Sequence, residues 1–224
     1  MDNLLESLRG QLYHRHLGYH WSSSPSQRLE VASRLDACTQ GLVVFAKMDK
    51  SRDLIGRLNK AFRERKVVKK YRLRCRRKPE IIEGKVTHWY KKGSTPSILY
   101  STNDESNNLK RAELEILSAE ESEVINEETG EPFWLVEVLL LTGLTHQIRL
   151  QFAALNSAIN RDHRYIPAEG MVIDPRSGQD EGFQLGATVS GGIDLQCASL
   201  AFPEGSIKSD STVQFTAPAP EWWR

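Results

Sequence analysis

The stretch SRLDACTQGLVVFAK, from Ser33 to Lys47, decides the fold of this chain. An arginine and an aspartate, Arg34 and Asp36, stand two residues apart in a turn-like segment, and a glycine and an apolar run follow directly. The run from Gly41 to Lys47 predicts a buried strand, because it holds five apolar residues and two of them are β-branched valines. Asp36 would then lie at the mouth of a rigid element, where a carboxylate can be held firmly enough to do chemistry. An aspartate before a strand is also a common turn former, so the tripeptide alone does not decide the function.

The composition is typical of a globular protein with one substantial core, since 39% of the 224 residues are hydrophobic. No apolar run reaches the ~18 residues that a membrane span needs, and acids near the N-terminus argue against a sorting peptide. The three cysteines, Cys38, Cys75 and Cys197, lie far apart with no CxxC pair, so we expect neither a disulfide framework nor structural zinc. We expect an intracellular protein without membrane contact, in the cytoplasm or in an organelle such as a chloroplast or mitochondrion.

The net charge of +1 hides a strong asymmetry along the chain. Residues 1–100 hold 22 Lys/Arg and 9 Asp/Glu, whereas residues 101–224 hold 8 and 20. Twelve of the 22 residues from Arg57 to Lys78 are basic, and Glu64 is the one acid among them. A solvated helix face would explain an isolated basic run equally well. This density beside the Asp36 segment favours a polyanionic partner, and nucleic acid is the obvious one.

The spacing of apolar residues predicts more strands than helices. Residues 1–30 are expected to form an irregular lead-in, and residues 31–224 a single domain. Helices are predicted from Asp49 or Ser51 to about Lys66, and over 146–155 with Thr145 as the cap. Strands are predicted over residues 71–76, 112–117, 133–141, 195–202 and 213–216, with a surface loop at 94–108 and an acidic, solvated turn at 120–128. Because strands and helices do not alternate regularly, the pattern favours an α+β mixed sheet.

Two further motifs follow the Asp36 segment. Lys69-Lys70-Tyr71 places an aromatic ring on a basic strand, where the ring can stack on a base while its neighbours hold phosphates. A tyrosine of the core is the plainer alternative. The stretch LTGLTHQIRL, Leu141 to Leu150, enters the second predicted helix, where His146 and Leu150 share one face.

These segments together resemble the RluA-like family of RNA pseudouridine synthases. Residues 33–47 are similar to its HRLDxxTSGLLLxAK signature, residues 69–71 to its K-x-Y strand motif, and residues 141–151 to its TGRTHQIRxH motif. Weaker similarities at residues 160–165, to a GDxxYG turn, and at 195–202, to a late LHAxxLxF strand, extend the resemblance over about residues 31–203. Ser33, Leu144 and Gln151 depart from these motifs, and the family's early KPxG-type motif is not recognisable in residues 1–30.

The resemblance implies a bent, mostly antiparallel mixed sheet with packed helices and a central RNA-binding cleft. It implies an isomerase that converts uridine to pseudouridine in rRNA or tRNA after the nucleotide is flipped from its stack. Asp36 would be the essential carboxylate, which either attacks C1′ of the ribose or removes a proton from C2′. Tyr71 would stack on the base and assist removal of the C5 proton, while Arg149 would pair with Asp36. Ile148 would pack beneath Tyr71, and His146 would be a structural hydrogen-bonding residue.

The same resemblance and the basic field predict RNA as the partner of a monomer that needs no metal or other cofactor. The residues predicted to contact RNA are Arg34, Thr39, Lys66, Lys69, Lys70, Arg72 and Arg74. His14, His16 and His20 could gather imidazoles, but no acid or cysteine at ligand spacing completes a metal site. Two other classes stay open: a non-catalytic RNA-binding protein of the same fold, and an unrelated hydrolase built on Asp36. The hydrolase would need a second acid in the cleft.

Overall fold

The computed structural model describes residues 29–47, 53–91, 98–100, 109–165, 192–207 and 210–224. Its contacts divide the chain into two units. The first consists of Met1–Arg34, Val43–Val67 and Phe202–Val213, and the second of Leu35–Leu42, Val68–Ala201 and Gln214–Arg224. The predicted lead-in lies outside the described residues up to residue 28, and so do the three histidines at 14, 16 and 20.

The first unit contains a two-stranded antiparallel sheet and a helix. Its strands are β1 (Leu29–Val31) and β3 (Phe45–Lys47), and its helix α1 spans Asp53–Arg63. The Phe62 ring of the helix packs edge-on against Phe202, with ring centroids 5.8 Å apart.

Helix α1 ends three residues before the predicted Lys66. Arg65 adopts a φ of 57°, and the N–H groups of Arg65 and Lys66 turn back to the carbonyls of Phe62 and Ala61, at 3.1 and 2.9 Å. This left-handed turn closes the helix in the way a glycine usually does. No helix among the described residues is long and apolar enough to cross a membrane.

The second unit is built on an eight-stranded sheet. Its strands are β2 (Gln40–Gly41), β4 (Val68–Cys75), β5 (Gly84–Lys91), β6 (Ile98–Tyr100), β7 (Lys110–Ile125), β8 (Pro132–Leu140), β9 (Leu195–Phe202) and β10 (Val213–Thr216). In the part of the chain that the structure describes, the order is β10-β9-β4-β8-β7-β5-β6, and β2 pairs in parallel with β9. Strand β4 is antiparallel to β8 and β9, and β7 is antiparallel to β5 and β8. The predicted α+β class with a mixed, mostly antiparallel sheet is therefore confirmed.

Helix α2 (Gln147–Ala154) lies on this sheet through a small apolar cluster. Leu150 and Ala153 of the helix meet Tyr90 of β5 and Ala112 of β7, and each of these side chains is at most 3% exposed. Burial of this size is the main favourable term that holds a short helix in place, since eight residues are too few for a stable isolated helix. The cluster therefore helps to hold α2, and with it Arg149, in place on the sheet.

Several predicted elements differ in their bounds. The strand predicted over 41–47 is interrupted, because its two ends pair with different partners: Gly41 with Cys197 of β9, and Phe45 with Val31 of β1. Strand β7 runs on to Ile125, so the acids at 120–123 lie on a strand and the turn begins only at residue 126. Strands β1 and β5 were not predicted, and β6 falls inside the predicted loop at 94–108.

The residues after β10 cover part of one face of the sheet. The Ala217 N–H donates to the Ala198 carbonyl, and the Gln196 amide donates to the Pro218 carbonyl, both at 2.8 Å. Farther along, the Trp223 ring lies 5.5 Å from the guanidinium carbon of Arg72. The face of β4 that carries its arginines is thus partly covered by the chain itself.

Candidate active site

The loop that carries Asp36 is fixed to strand β9. The Thr39 N–H donates to the Asp36 carbonyl at 2.9 Å and closes a turn, and the Leu42 N–H donates to the Cys197 carbonyl at 3.1 Å. Gly41 has a φ of 109° and lies so near Cys197 that a Cβ would collide with its carbonyl oxygen. The glycine of the motif is therefore what allows the loop to seat on β9 and to present Asp36, whose side chain is 30% exposed.

Arg149 of α2 is the cation nearest to this carboxylate. Its Nη1 lies 3.8 Å from Asp36 Oδ2, within the 4 Å expected for the pair. Its other two nitrogens donate hydrogen bonds to Asp162, Nε to Oδ2 at 2.7 Å and Nη2 to Oδ1 at 2.8 Å. Burial alone lowers the pKa of Arg149, but the hydrogen bonds and the charge of Asp162 outweigh that effect and raise it. A fully charged guanidinium thus faces Asp36 without being held by it.

Asp162 sits on a turn that a second buried acid anchors. The Asp194 carboxylate, which is fully buried, accepts hydrogen bonds from Arg74 Nε and Asn160 Nδ2, each at 2.8 Å, and from Arg161 Nε at 2.9 Å. Arg161 holds a φ of 64°, a left-handed conformation that a non-glycine residue adopts only where its surroundings require it. The anchored turn fixes Asp162, and Asp162 in turn fixes Arg149.

His146 approaches Asp36 from a second direction. Its Nε2 lies 3.9 Å from Asp36 Oδ1, and its Nδ1 lies 2.6 Å from the Tyr165 hydroxyl. Burial lowers the pKa of His146 and raises that of Tyr165 to about 12. The Tyr165 ring also lies beneath Arg149, with the guanidinium carbon 4.9 Å from its centroid. The structural hydrogen bond expected of His146 is present, and its partner is this tyrosine.

The side chain of Gln147 helps to hold the segment between β8 and α2. Its Oε1 accepts hydrogen bonds from the Thr142 hydroxyl at 2.8 Å and from the Leu144 N–H at 3.1 Å. Its Nε2 donates to the Glu113 carbonyl at 3.0 Å. The helix begins at Gln147 with His146 at its N-cap, so the cap predicted at Thr145 is wrong by one residue. His146 makes no side-chain cap because its ring is turned towards the site.

Tyr71 of β4 lies near the same carboxylate. Its side chain is buried, and burial raises its pKa well above the usual value, with further contributions from Cys197 and from the charge of Asp36. The Tyr71 hydroxyl donates to the Cys197 sulfur. This hydrogen bond lowers the pKa of the Cys197 thiol, whereas burial raises it. Asp36 thus lies beside Arg149 and acts on the pKa of Tyr71, and all three residues belong to the second unit. That the three line one cleft stays a prediction.

The lysines and smaller residues predicted to contact RNA differ in their surroundings. Arg34 and Lys70 are exposed, and Thr39 is half-buried. Lys69 is half-buried too, and its Nζ would lie 3.3 Å from a Cβ placed at Gly143, so it sits beside the loop that leads into α2. Ile148, predicted to pack beneath the tyrosine, is 5% exposed.

The other basic residues in this set have acidic partners within the protein. Lys66 Nζ lies 2.8 Å from Glu64, and Arg72 Nε lies 2.9 Å from Glu137. Arg74 pairs with Asp194, as described above, and only 14% of its side chain is exposed. The alternation predicted for this strand is confirmed, since Tyr71, Leu73 and Cys75 are buried between the arginines. Phosphate binding by Arg72 and Arg74 stays a prediction, and it would require these guanidinium groups to leave their carboxylates.

The three departures from the family motifs each have a defined role in the structure. The Ser33 hydroxyl accepts a hydrogen bond from the Val44 N–H at 2.9 Å. Leu144 packs against the apolar cluster under α2. The Gln151 amide contacts Nδ1 of the buried His88 at 3.2 Å, and burial lowers the pKa of that imidazole. The replacements are therefore integrated into local hydrogen bonding and packing.

Sequence reasoning missed two members of the site, Asp162 and Tyr165. The one available signal was the weak similarity of residues 160–165 to a GDxxYG turn, from which no role was inferred. Asp162 is also the second acid that a hydrolase would need, but both its oxygens bind Arg149 and only 1% of its side chain is exposed. Within the described ranges, no group of three or more His, Cys, Asp or Glu side chains could hold a metal ion.

Comparison with known proteins gives a consistent picture. The sequence profile described as RNA pseudouridylate synthase matches residues 8–154, more than half of the chain. The match begins inside the predicted lead-in and ends before Asp162. No curated protein matches the chain significantly.

Two solved human structures share the fold. Human RNA pseudouridylate synthase domain containing 1 aligns with a TM-score of 0.62 at 20% identity, over 95% of this chain and 74% of that one. Human RNA pseudouridylate synthase domain containing 4 aligns with a TM-score of 0.64 at 19% identity, over 97% of this chain and 79% of that one.

Proposed function

Since this chain belongs to the RNA pseudouridylate synthase family, a class of RNA-modifying isomerases, we propose that it converts uridine to pseudouridine in a structured rRNA or tRNA and that Asp36 starts the reaction. The reaction breaks the bond between N1 of uracil and C1′ of the ribose and joins C5 to C1′. The C5 proton is lost and N1 gains a proton, so the product is an isomer of the substrate.

One observation carries the assignment of Asp36: its carboxylate is the partly exposed acid around which Arg149 and His146 converge. A partly exposed carboxylate with a donor facing each oxygen is placed for attack on C1′ or for removal of the C2′ proton. Asp162, the neighbouring acid, is buried and fully bound, which leaves Asp36 to meet the substrate.

Tyr71 is proposed to stack on the flipped base. Its raised pKa favours the neutral phenol and weighs against a tyrosinate base before RNA binds. A role in removing the C5 proton would require its hydroxyl to leave the Cys197 sulfur. Stacking needs no ionisation, so we assign it as the main role, and it would require the base to reach the ring of a residue that is 9% exposed.

The RNA backbone is proposed to contact polar side chains of the turn after Asp36, of the loop that enters α2 and of strand β4. Lys70 is exposed on β4 next to Tyr71, and Lys69 lies beside Gly143 at the entry to α2. Thr39 follows Asp36 in the same turn. Lysine and hydroxyl side chains of this kind can hold the phosphates that flank a flipped nucleotide.

The test is an Asp36→Asn variant, which keeps the size of the side chain but can neither attack C1′ nor take a proton. Unmodified rRNA and tRNA transcripts carrying tritium at C5 of uridine would be incubated with each protein, and tritium release would be measured. We expect the variant rate to fall below about one thousandth of the wild-type rate, while RNA affinity changes by less than about threefold.

Asp53→Asn is the matched control, because it makes the same chemical change at an exposed carboxylate on α1 that contacts Arg57. The control should retain wild-type turnover. Turnover by Asp36→Asn within tenfold of wild type would remove Asp36 from the reaction. Wild-type protein that binds these RNAs but releases no tritium would instead favour the non-catalytic binding protein.

A further inference from the structure

The two oxygens of the Asp36 carboxylate face two different donors. Oδ2 faces Arg149 Nη1 at 3.8 Å, and Oδ1 faces His146 Nε2 at 3.9 Å. Both distances are longer than a hydrogen bond, and contacts of this kind commonly shorten when the substrate is bound. Each oxygen of the Asp36 carboxylate thus faces a donor before RNA binds.

The hydroxyl of Tyr165 is placed to determine which nitrogen of His146 carries the proton. A carboxylate only accepts hydrogen bonds, so a neutral imidazole can bind it only through an Nε2–H. Nδ1 must then accept, and the Tyr165 hydroxyl at 2.6 Å is the group that can donate to it. The shifted pKa values agree, since burial favours both the neutral imidazole and the protonated phenol.

The backbone at His146 is held in an unusual conformation to place the ring there. Its φ of 55° is left-handed, although the residue is not glycine. The hydrogen bonds of Gln147 to Thr142, Leu144 and Glu113 fix the segment on either side. Strain that a buried network maintains next to a reactive carboxylate points to a role in that site.

We propose that His146 is a positioning residue for Asp36, and that its Nε2–H, fixed by the Tyr165 hydroxyl, orients Oδ1 while Arg149 orients Oδ2. The proposal rests on the proposed role of Asp36 as the reacting carboxylate. Tyr165 acts one step farther away, because it sets the tautomer of the imidazole and supports Arg149 with its ring.

The test compares His146→Gln with His146→Asn. The glutamine amide nitrogen reaches the place of Nε2, whereas the asparagine amide reaches the place of Nδ1. We expect single-turnover tritium release by the Gln variant to stay within about tenfold of wild type, and release by the Asn variant to fall about a hundredfold. A purely structural role predicts the opposite order, because Asn keeps the bond to Tyr165 and tolerates the left-handed backbone better.

Tyr165→Phe tests the tautomer and keeps the ring under Arg149. It should slow the reaction in the wild-type background but not in the His146→Gln background, where no tautomer remains to be set. Additive effects in this double-mutant cycle would overturn the role of Tyr165, and an Asn variant as fast as the Gln variant would overturn the role of His146. Thermal melting would confirm that each variant is folded.

These outcomes are separable from the test of the proposed function. If Asp36→Asn is inactive and the Gln variant is no faster than the Asn variant, only the positioning role fails. If Asp36→Asn is active, the carboxylate chemistry itself fails.

Discussion

Removing the carboxylate of Asp162 should destabilise the protein and slow it at the same time. Asp162 and Arg149 have side chains that are 1% and 6% exposed, and two hydrogen bonds of 2.7 and 2.8 Å join them. Water does not screen a pair at this depth. An Asp162→Ala change leaves a buried guanidinium without its partner, which typically costs about 3–5 kcal/mol. Asp162→Asn keeps one acceptor and should cost about 1.5–3 kcal/mol, the value of a hydrogen bond to a charged group.

The effect on catalysis follows from where the freed guanidinium would go. Asp36 is the other acid within 4 Å of Arg149 among the described residues. We expect Arg149 to close the 3.8 Å gap and bind Asp36 tightly, which would hold the carboxylate back from the substrate. Turnover by folded Asp162→Ala should therefore fall by about ten- to a hundredfold.

Urea unfolding followed by tryptophan fluorescence measures the first effect. Four of the five tryptophans, Trp89, Trp134, Trp222 and Trp223, belong to the unit that holds the pair. The double variant Arg149→Met with Asp162→Ala should be more stable than Asp162→Ala alone, because no unpaired charge remains. A cost below about 1 kcal/mol for Asp162→Ala would refute the reasoning, and so would a double variant less stable than the single one.

Two further predictions follow from the packing of the loop and of the sheet. Gly41→Ala should push the Asp36 loop away from Cys197 and lower single-turnover tritium release by about a hundredfold, whereas Gly56→Ala, on an open face of α1, should leave the rate unchanged. Equal rates for the two variants would show that the loop does not depend on the close approach. For pH, burial lowers the folded-state pKa of His88 below its ordinary 6.5, so the unfolded chain binds the proton more strongly and stability falls as the pH drops through that value. His88→Gln should lose less stability than wild type between pH 7.5 and 5.5 in urea titrations, and an equal loss would contradict this assignment.

The sequence was a good guide to the parts of the site that lie in local motifs. Asp36, Tyr71 and Arg149 each stand in a recognisable segment, and the α+β class followed from the strand pattern. Asp162 could not be found in the same way. It follows Arg149 by thirteen residues and lies beyond the end of α2, so no helical or strand spacing relates the two. Only the tertiary fold makes them partners.

The basic strand β4 also has partners that its own sequence could not predict. Period-two alternation correctly placed the arginines of β4 on one face, but the acids that neutralise them come from far along the chain. Arg72 meets Glu137 on the adjacent strand β8, and Arg74 meets Asp194 just before β9. A charge count over residues 57–78 could not reveal this pairing. Strand β5 was a different case. Its buried residues Val86, His88 and Tyr90 alternate with more exposed ones, so the period-two pattern of a strand was visible in the sequence.

The short parallel pairing of β2 with β9 fixes the position of the Asp36 carboxylate along the sheet. One residue of a parallel strand advances about 3.3 Å, which is close to the 3.8 Å between Asp36 Oδ2 and Arg149 Nη1. A slip of one residue along β9 would therefore move Asp36 by nearly the whole distance that separates it from its cation. A Cβ at position 41 would collide with the Cys197 carbonyl, so the observed register requires a glycine there. The register of β2 on β9 thus sets how closely Asp36 approaches Arg149, although Asp36 itself lies in the loop before β2.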